Sequence, residues 1–452
     1  MSTKHLLIGL ALFCMSPAMA QNQPNAKELD LQQAVNYALE NNESIKKASY
    51  DELGAKYQVN EVRATGLPQV DIKGSAVRTL EKSMMALPAD FNPEKNGQPY
   101  IRPIGTDNVV QAGLSVTQLL FNKSYFVGLK AVKSGEDLYR IRKEMATEDV
   151  IYNVGSAYYQ VLQTKEQFNS INANLDKLNQ LEKILTLQYK NDLVKKVDVN
   201  RIKVSKINLQ NQKQNLQAAY EQQLNVLKFF MGMPLDEQIA LKGAADDVLL
   251  TEQPTMAGAE EIATERAQFK ILNKQKELKS LEIENIRAGY YPSLAAFGSY
   301  NYQSQYDGQM IGNDAAMWFP NSQVGLQVNI PVFDGLRKKS QVQQRQVELK
   351  KLDLDIQQYN KNTQVEVSNA LSQLGNSQNN ISAQQENVKL AQEVYDTTNK
   401  LYKEALAPLS DLLNAETALR EAMTNLNNEK LKYQIAQLSY LKAKGNLESL
   451  TK

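Results

Sequence analysis

The fold of this chain is decided by a short stretch that occurs twice. Residues 62–68 read Val-Arg-Ala-Thr-Gly-Leu-Pro, and residues 286–292 read Ile-Arg-Ala-Gly-Tyr-Tyr-Pro, 224 positions later. Two more motifs recur in the same order, Gly-Leu-x-Val from residues 113 and 325 and Tyr-Lys from residues 189 and 402. Self-similarity in a fixed order is the mark of a repeated unit. We therefore expect an internally duplicated architecture in which both halves contain the same elements.

Uneven proline placement predicts where long helices can form. No proline occurs between Pro103 and Pro234, or between Pro331 and Pro408. Because proline breaks helix interiors, residues ~123–190 and ~336–403 can each form one helix, roughly 100 Å long at 1.5 Å per residue. Shorter helices return over ~198–231 and ~411–446, and further helices precede the strands at ~30–64 and ~258–288. Residues at coiled-coil spacing predict a seam along each long helix, namely Ile171, Leu175, Leu178, Leu181 and Leu185, and Val388, Ala391, Tyr395, Thr398 and Tyr402.

Between the helices the hydrophobic period changes from that of a helix to that of a strand. Apolar residues alternate with polar ones over residues 110–117 and 323–330, and again after Pro68 and Pro292. Period-two alternation indicates strands with one apolar and one polar face. We expect strand pairs at ~67–121 and ~291–334, joined internally by loops at ~81–107 and ~304–321. Residues ~232–257 are expected to link the two halves.

The first twenty residues have the pattern of a signal peptide, with an apolar run before Ala18-Met19-Ala20. Bulky Leu12 and Phe13 precede Cys14, so lipidation at that cysteine is not expected. Removing the segment removes the only cysteine and the only histidine, and leaves 50 basic and 50 acidic residues. This composition excludes Cys and His catalysis, disulfides and Cys/His zinc sites, and zero net charge argues against nucleic-acid binding. We expect no enzyme activity, no cofactor and no metal.

Four strands cannot form a closed barrel within one chain. An open sheet edge in a membrane leaves backbone groups unpaired at a cost of several kcal/mol each. Other copies of the chain would have to pair with these edges, and three copies give a twelve-stranded barrel with closed symmetry. The chain would divide into residues 21–257 and 258–452, each with a helix, a strand pair and a long helical hairpin (~123–231 and ~336–446). The alternative is a soluble periplasmic coiled-coil adaptor or structural protein whose strands form a small capping sandwich.

The chain resembles the TolC-type outer membrane efflux protein family over residues 29–448. The most specific match is residues 402–415, from Tyr402 through Ala405 and Asp411 to Ala415, which is similar to the family signature Y-x-x-G-x-x-x-x-x-D-[VL]-L-x-A. The resemblance implies a homotrimer with an outer membrane β-barrel, in contact with outer membrane lipids, and a long periplasmic α-helical tunnel. It also implies a passive exit duct for efflux or type I secretion, gated at the periplasmic helix tips. The implied partners are a periplasmic adaptor and an inner membrane transporter.

The resemblance places candidate gate residues at the two helix turns. Asp411 matches the signature aspartate, and three copies would form an acidic ring at the tunnel end; alternatively it is a helix cap or first-turn charge. Asp198 is its counterpart in the first half, and Asn414 stands where some relatives have a second acidic residue. Lys195 and Lys196 could pair with Asp411 or Glu404 to hold the end closed, or they could be solvated lysines at a hairpin tip.

Two further groups of residues are singled out by their positions. Asp192 and Ala405 replace the family glycine in the two turns, where a left-handed backbone is expected. Together with Leu193 and Leu406 they form the turns that the resemblance assigns to adaptor contact. The tyrosines at the second strand pair are expected to form an interfacial aromatic girdle rather than a ligand-stacking site; they are Tyr290, Tyr291, Tyr300 and Tyr302.

Overall fold

The computed structural model describes residues 27–91, 93–94, 97–243, 263–310 and 317–451. The expected signal peptide lies outside these ranges, as does the expected linker beyond Gly243. The first part contains β1 (Lys27–Leu29), α1 (Leu31–Asn41), α2 (Glu43–Ala64), β2 (Gln69–Arg78), β3 (Ser83–Leu87), β4 (Tyr100–Ile104), β5 (Asn108–Asn122), α3 (Lys123–Lys190), α4 (Lys196–Met231) and β6 (Ile239–Leu241). The second part contains α5 (Ala267–Ala288), β7 (Ser293–Tyr306), β8 (Trp318–Asn329), α6 (Arg337–Lys403) and α7 (Leu409–Lys444).

The two expected strand pairs form one antiparallel sheet of four strands. Its order is β2-β5-β7-β8, so β5 pairs with β7 and joins the two halves of the chain. Within the described residues, the outer strands β2 and β8 each pair on one side only. The sheet therefore presents two open edges, one at each end.

Pairing register separates the side chains of this sheet into an apolar and a polar face. Residues directly opposite each other point to the same face of a sheet, and alternate residues point to opposite faces. The apolar face carries Val70, Val116 and Val324 in one row, Ile72, Leu114 and Tyr300 in the next, and Ala112 and Tyr302 in a third. The other face carries Asp71, Ser115, Ser299 and Gln323, then Lys73, Asn301 and Asn321, then Ser75, Gln111 and Gln303. The alternation expected from the sequence is present in all four strands.

Two very long helices extend from the sheet, and shorter helices pack beside them. Helix α3 has 68 residues and α6 has 67, while α4 and α7 have 36 each. Near the sheet the helices pack in the order α2-α3-α5-α6, and farther from it in the order α4-α3-α7-α6. Helix α6 therefore lies along one side over its full length, while α2 and α4 share the opposite side. Among the described residues, no helix is both long and apolar enough to cross a membrane.

The short helices are stacked end to end at two joints. At the first joint, the Asn42 side chain donates to the Phe230 carbonyl at the end of α4 and accepts from the Ser44 backbone N–H at the start of α2. Gly232 has φ +68° there, and an added Cβ would lie 2.6 Å from a backbone oxygen of α1. At the second joint, Gly445 ends α7 with φ +69° beside Arg266, which precedes α5. The glycines allow close approach of two helix ends.

The largest hydrophobic cluster lies around the first joint. Tyr158 and Tyr159 on α3 are buried there, with their rings 5.7 Å apart and nearly perpendicular. Strands β1 and β6 pair in parallel over this cluster, and the Tyr158 hydroxyl donates to the Lys242 carbonyl beyond β6. The cluster fixes the chain ends of the first half onto the long helix.

Five expected boundaries need correction. The helix at ~258–288 is interrupted at Arg266, whose extended backbone precedes α5. The loop at ~81–107 contains the hairpin β3-β4, because apolar side chains in both runs pair in antiparallel register. The helix at ~30–64 is two helices, since Asn42 adopts an extended backbone and caps α2. The linker at ~232–257 includes β6, which is paired with β1. The loop at ~304–321 is shorter than expected, because β7 extends to Tyr306 and β8 begins at Trp318.

Candidate gating and membrane sites

The two turns farthest from the sheet have the same backbone geometry. Asp192 and Ala405 both have φ +59°, in the left-handed region. In each turn the next backbone N–H closes the helix end, from Leu193 to the Gln188 carbonyl at 2.9 Å and from Leu406 to the Leu401 carbonyl at 2.8 Å. This pattern is a Schellman motif, which usually has glycine at the left-handed position. Both turns therefore adopt the left-handed backbone that glycine favours, although the residues at this position are Asp192 and Ala405.

Each turn exposes a leucine at its outermost point. The exposed fractions of Leu193 and Leu406 are 72% and 70%. An isolated exposed leucine needs no explanation, but two at matching positions form a repeated apolar feature of the tip. These are the residues that the family resemblance assigns to adaptor contact, together with Asp192 and Ala405.

Asp198 and Asp411 occupy the third position of α4 and α7. The residues that cap these helices are Lys195 and Pro408, and neither provides a capping side chain. The aspartates are therefore first-turn charges beside exposed backbone N–H groups, where a negative charge is stabilising. Asp411 is exposed and accepts a hydrogen bond from the Ser410 hydroxyl at 3.3 Å, whereas Asp198 is half-buried.

Both helical hairpins share one hydrophobic cluster near the tip. The expected seam on α3 is confirmed, since four of its five members are buried and Leu181 packs against them. Ile202 of α4 and Leu409 and Leu412 of α7 complete the cluster. Tyr402 packs against it, and burial followed by the nearby Asp198 charge raises the pKa of this tyrosine. The two tips therefore pack together within one chain, and the charge of Asp198 acts on a tyrosine of the second hairpin.

Of the two hypotheses for Lys195 and Lys196, pairing with Asp411 or Glu404 does not occur within one chain. Lys195, Lys196, Asp411 and Glu404 are all described, and no ion pair joins either lysine to either acid. Lys195 and Lys196 are exposed, and so is Asn414. A pairing of these groups would have to join different copies of the chain.

A polar cluster near the tip was missed at the sequence level. Glu416 and Arg420 lie one turn apart on α7, with Glu416 Oε1 3.7 Å from Arg420 Nε. Arg420 Nη1 also donates to Gln212 Oε1 of α4 at 3.0 Å, so it ties the second hairpin to the first. Burial raises the pKa of Glu416, although Arg420 and Lys177 oppose the shift. The Glu-Arg spacing was visible in the sequence, but its partner on another helix was not.

Tyrosines lie at both ends of the apolar sheet face. Tyr290 and Tyr291 precede β7, and the ammonium groups of Lys338 and Lys123 lie 4.9 and 3.6 Å from their ring centres. At the other end, Tyr302 stacks on Trp318 with ring centres 5.5 Å apart. Since strands rise about 3.3 Å per residue, the two levels are roughly 30 Å apart along β7.

An ion cluster joins the loops at the end of the sheet far from the helices. Lys82 Nζ lies 3.0 Å from an Asp107 oxygen and 2.6 Å from an Asp307 oxygen. The Asp107 backbone N–H donates to Asp307, and the Gly308 N–H donates to Asp107. Hydrogen bonds and the Lys82 charge lower the pKa of both carboxyl groups. Among the described residues, no group of three or more His, Cys, Asp or Glu side chains could hold a metal ion.

Comparison with known proteins agrees with this geometry. Residues 261–446 match the outer membrane efflux protein family. The chain is 24% identical to outer membrane protein TolC of Escherichia coli (strain K12) over 98% of this chain and 86% of that protein. Its fold is similar to the Campylobacter jejuni CmeC outer membrane channel, with TM-score 0.72, 18% identity and coverage of 92% and 85% of the two chains. It is equally similar to the Neisseria gonorrhoeae MtrE outer membrane channel in its open state, with TM-score 0.72, 17% identity and coverage of 93% and 90%.

The four-stranded sheet with one apolar face and the long helical hairpins form the fold that is also seen in the CmeC and MtrE outer membrane channels. The chain is similar to the TolC-type outer membrane efflux proteins, through the family match over residues 261–446 and through TolC over 98% of its length. It is an outer membrane protein with a large periplasmic portion. The alternative of a soluble periplasmic adaptor is not supported, because these relatives are outer membrane proteins.

Proposed function

We propose that this protein is the outer membrane exit duct of a tripartite efflux or type I secretion system. The observation that carries the proposal is the four-stranded sheet, whose apolar face is exposed and whose two edges are open. Exposed Val324, Leu326 and Val328 of β8 are unfavourable in water and suited to lipid. The duct is passive and has no enzymatic activity, and energy comes from the inner membrane partner.

Three copies of the chain close the barrel in this proposal. Pairing β8 of one copy with β2 of the next gives twelve strands and leaves no open edge. The helices offer a matching contact. On α6, exposed Val347 and Leu354 are one heptad apart, and on the opposite side of the chain exposed Tyr57 and Tyr50 of α2 are also one heptad apart.

These two apolar pairs lie at similar depths. At 1.5 Å per residue, Val347 and Leu354 are roughly 15 and 25 Å from the sheet-proximal end of α6. Tyr57 and Tyr50 are roughly 10 and 21 Å from the corresponding end of α2. A head-to-tail ring that joins β8 to β2 would bring α6 of one copy beside α2 of the next. The apolar pairs would then pack together.

The repeated unit supports a six-fold pseudo-symmetric tunnel. Helices α4 and α7 have equal lengths and end at left-handed glycines, and the tip turns share one φ value. We propose that residues 21–257 and 258–452 arose as copies of one unit, after a signal peptide over residues 1–20. Three chains would then place six similar hairpins around one axis.

The hairpin tips form the gate and the adaptor contact in this proposal. Asp411 is exposed, so three copies could gather three carboxylates around the axis and favour cations. The charge of Asp198 acts on Tyr402 of the second hairpin, and Asp198 would help to position the two hairpins. Leu193 and Leu406 would insert into apolar sites of a periplasmic adaptor, and Asn414, Lys195 and Lys196 would surround the opening.

The tyrosines form an interfacial girdle in this proposal. Tyr290 and Tyr291 would mark the periplasmic membrane surface, with the ammonium groups of Lys338 and Lys123 over their rings. Tyr300, Tyr302 and Trp318 would mark the outer surface.

Planar-bilayer recording tests the proposal. Protein purified in mild detergent should run as a heat-sensitive trimer and insert as a cation-preferring channel. Asp411→Asn should shift the reversal potential toward zero, whereas Asp192→Asn, an exposed aspartate in the other turn, serves as the matched control. A monomer without conductance would contradict the duct, and an unchanged reversal potential in Asp411→Asn would leave that residue only a helix-stabilising charge.

A further inference from the structure

The polar face of the sheet carries two charged residues, and both stand on β2. Asp71 lies in a cross-strand row with Ser115, Ser299 and Gln323. Lys73 lies in the adjacent row on the same face, with Gly113, Asn301 and Asn321. The two rows are roughly 7 Å apart, because strands rise about 3.3 Å per residue. A negative and a positive charge are therefore neighbours on one face.

The remaining polar positions of this face carry no formal charge. They are mostly amides and hydroxyls, accompanied by Phe297 and Phe319. Gly113 contributes to this arrangement, because a Cβ at that position would clash with the Asn301 amide oxygen. The amide consequently lies over the glycine in the row that contains Lys73. The face can form hydrogen bonds with solutes of either charge.

We propose that Asp71 and Lys73 form two adjacent rings of opposite charge in the barrel lumen, and that their cancellation lets the barrel pass anionic, cationic and neutral solutes alike. This inference rests on the proposed function, since it requires three copies and a lumen lined by the polar face. The rings are closer together than the Debye length of about 8 Å at physiological ionic strength, so a passing ion interacts with both. In this proposal, the helix tips and not the barrel discriminate between solutes of different charge.

The lack of cysteine in the expected mature chain allows a local test. Ser299→Cys places one thiol in the row of Asp71. Its rates of reaction with small cationic and anionic methanethiosulfonate reagents, added to the trimer in membranes, report the local potential. The ratio of the cationic rate to the anionic rate, each normalised to the rate for a free thiol, should be close to one. Adding Asp71→Asn should favour the anionic reagent about threefold or more, and adding Lys73→Gln should favour the cationic reagent similarly. The double variant should restore the original ratio.

A thiol on the other face provides the control. Ser322 lies in the row of Ile72, Leu114 and Tyr300, so Ser322→Cys should react slowly. Its ratio of cationic to anionic rates should not change when Asp71→Asn or Lys73→Gln is added. If Ser299→Cys reacts but its ratio does not change in either single variant, the charge pairing is wrong and the proposed function stands. If Ser299→Cys is unreactive, or if Ser322→Cys reacts equally fast, the polar face does not line a lumen and the proposed function itself fails.

Discussion

Asp192 and Ala405 adopt the same left-handed conformation, with φ +59° at equivalent positions of the two tip turns. The conformation costs an ordinary L-residue about 1–2 kcal/mol, and an aspartate tolerates it better than an alanine. The left-handed backbone is therefore more strained at Ala405 than at Asp192. The second turn is the one that carries the signature aspartate, so the strained turn lies in the hairpin proposed to contain the gate.

Replacing the strained alanine should stabilise the second turn. Ala405→Gly removes the Cβ clash and should slow amide exchange of residues 401–407 about fivefold, which corresponds to about 1 kcal/mol. Hydrogen exchange measured by mass spectrometry checks this. Ala383→Gly is the control, because Ala383 is an exposed residue in the interior of α6, where glycine is destabilising. Faster exchange in Ala405→Gly would mean that the turn is not strained.

Glu416 should make packing between the hairpins depend on pH. Burial raises the pKa of the Glu416 carboxyl group, so the folded tip binds the carboxyl proton more tightly than the unfolded chain does. Stability should therefore fall as pH rises from the ordinary value of 4.5 through the raised pKa, and should level off above it. Glu416→Gln should remove this dependence and increase amide protection in residues 409–424 at neutral pH.

Exchange rates corrected for intrinsic pH effects measure this dependence. Glu421→Gln is the matched control, because Glu421 is exposed on the same helix. If protection in Glu416→Gln follows the pH profile of the unsubstituted protein, Glu416 is not the titrating group. If protection is lost at every pH, the ion pair with Arg420 matters more than the burial cost.

The ion cluster of Lys82 should hold the β3-β4 hairpin at low mobility. The pKa values of Asp107 and Asp307 are lowered, so the ion pairs with Lys82 contribute fully above pH 3.8, the ordinary pKa of an aspartate. The ion pairs are lost as pH falls through the lowered pKa values. The pKa of Lys82 is raised, so the ion pairs persist to alkaline pH. A spin label at Met85→Cys should gain mobility in Asp307→Asn, while Asp90→Asn, an exposed acid near the same hairpin, should have no effect. Equal mobility in both variants would refute this role of the ion pairs.

A charge placed in the proposed contact between copies should weaken the trimer. Val347→Glu would bury a carboxylate against tyrosines of the neighbouring copy, which is costly without a partner. The temperature at which the trimer dissociates on a semi-native gel should fall by several degrees. Gln346→Glu is the control, because it adds a carboxylate one position away, outside the row of Val347 and Leu354. It should change the dissociation temperature of the trimer little. Equal dissociation temperatures for both variants would place the contact elsewhere.

Much of the fold could be predicted from the sequence because its signals are local and repeated. Proline spacing limited the long helices, and the seam from Ile171 to Leu185 is buried as expected. Period-two alternation identified the faces of the sheet. The hairpin β3-β4 was missed because its runs are short and interrupted by Pro103. The break at Asn42 depends on contact with the end of α4, which is distant in sequence.

The candidate sites were less predictable than the fold. The exposed leucines of the tip follow directly from the turn pattern, but the electrostatic effect of Asp198 on Tyr402 depends on how the two halves of the chain pack. Similarly, Arg420 reaches Gln212 across more than 200 positions of sequence. Sequence periodicity assigns a residue to a face of its own helix. It does not show which polar group of another helix will lie opposite.

Fluorescence of Trp318 tests most directly whether the apolar face of the sheet contacts lipid. Trp318 is the one tryptophan of the chain, is 44% exposed and stacks on Tyr302 at the end of that face. In vesicles of brominated lipid, bromine near the headgroup should quench its emission more strongly than bromine deep in the acyl chain, and aqueous iodide should quench it weakly. Strong quenching by iodide, with no quenching by either brominated lipid, would contradict the account.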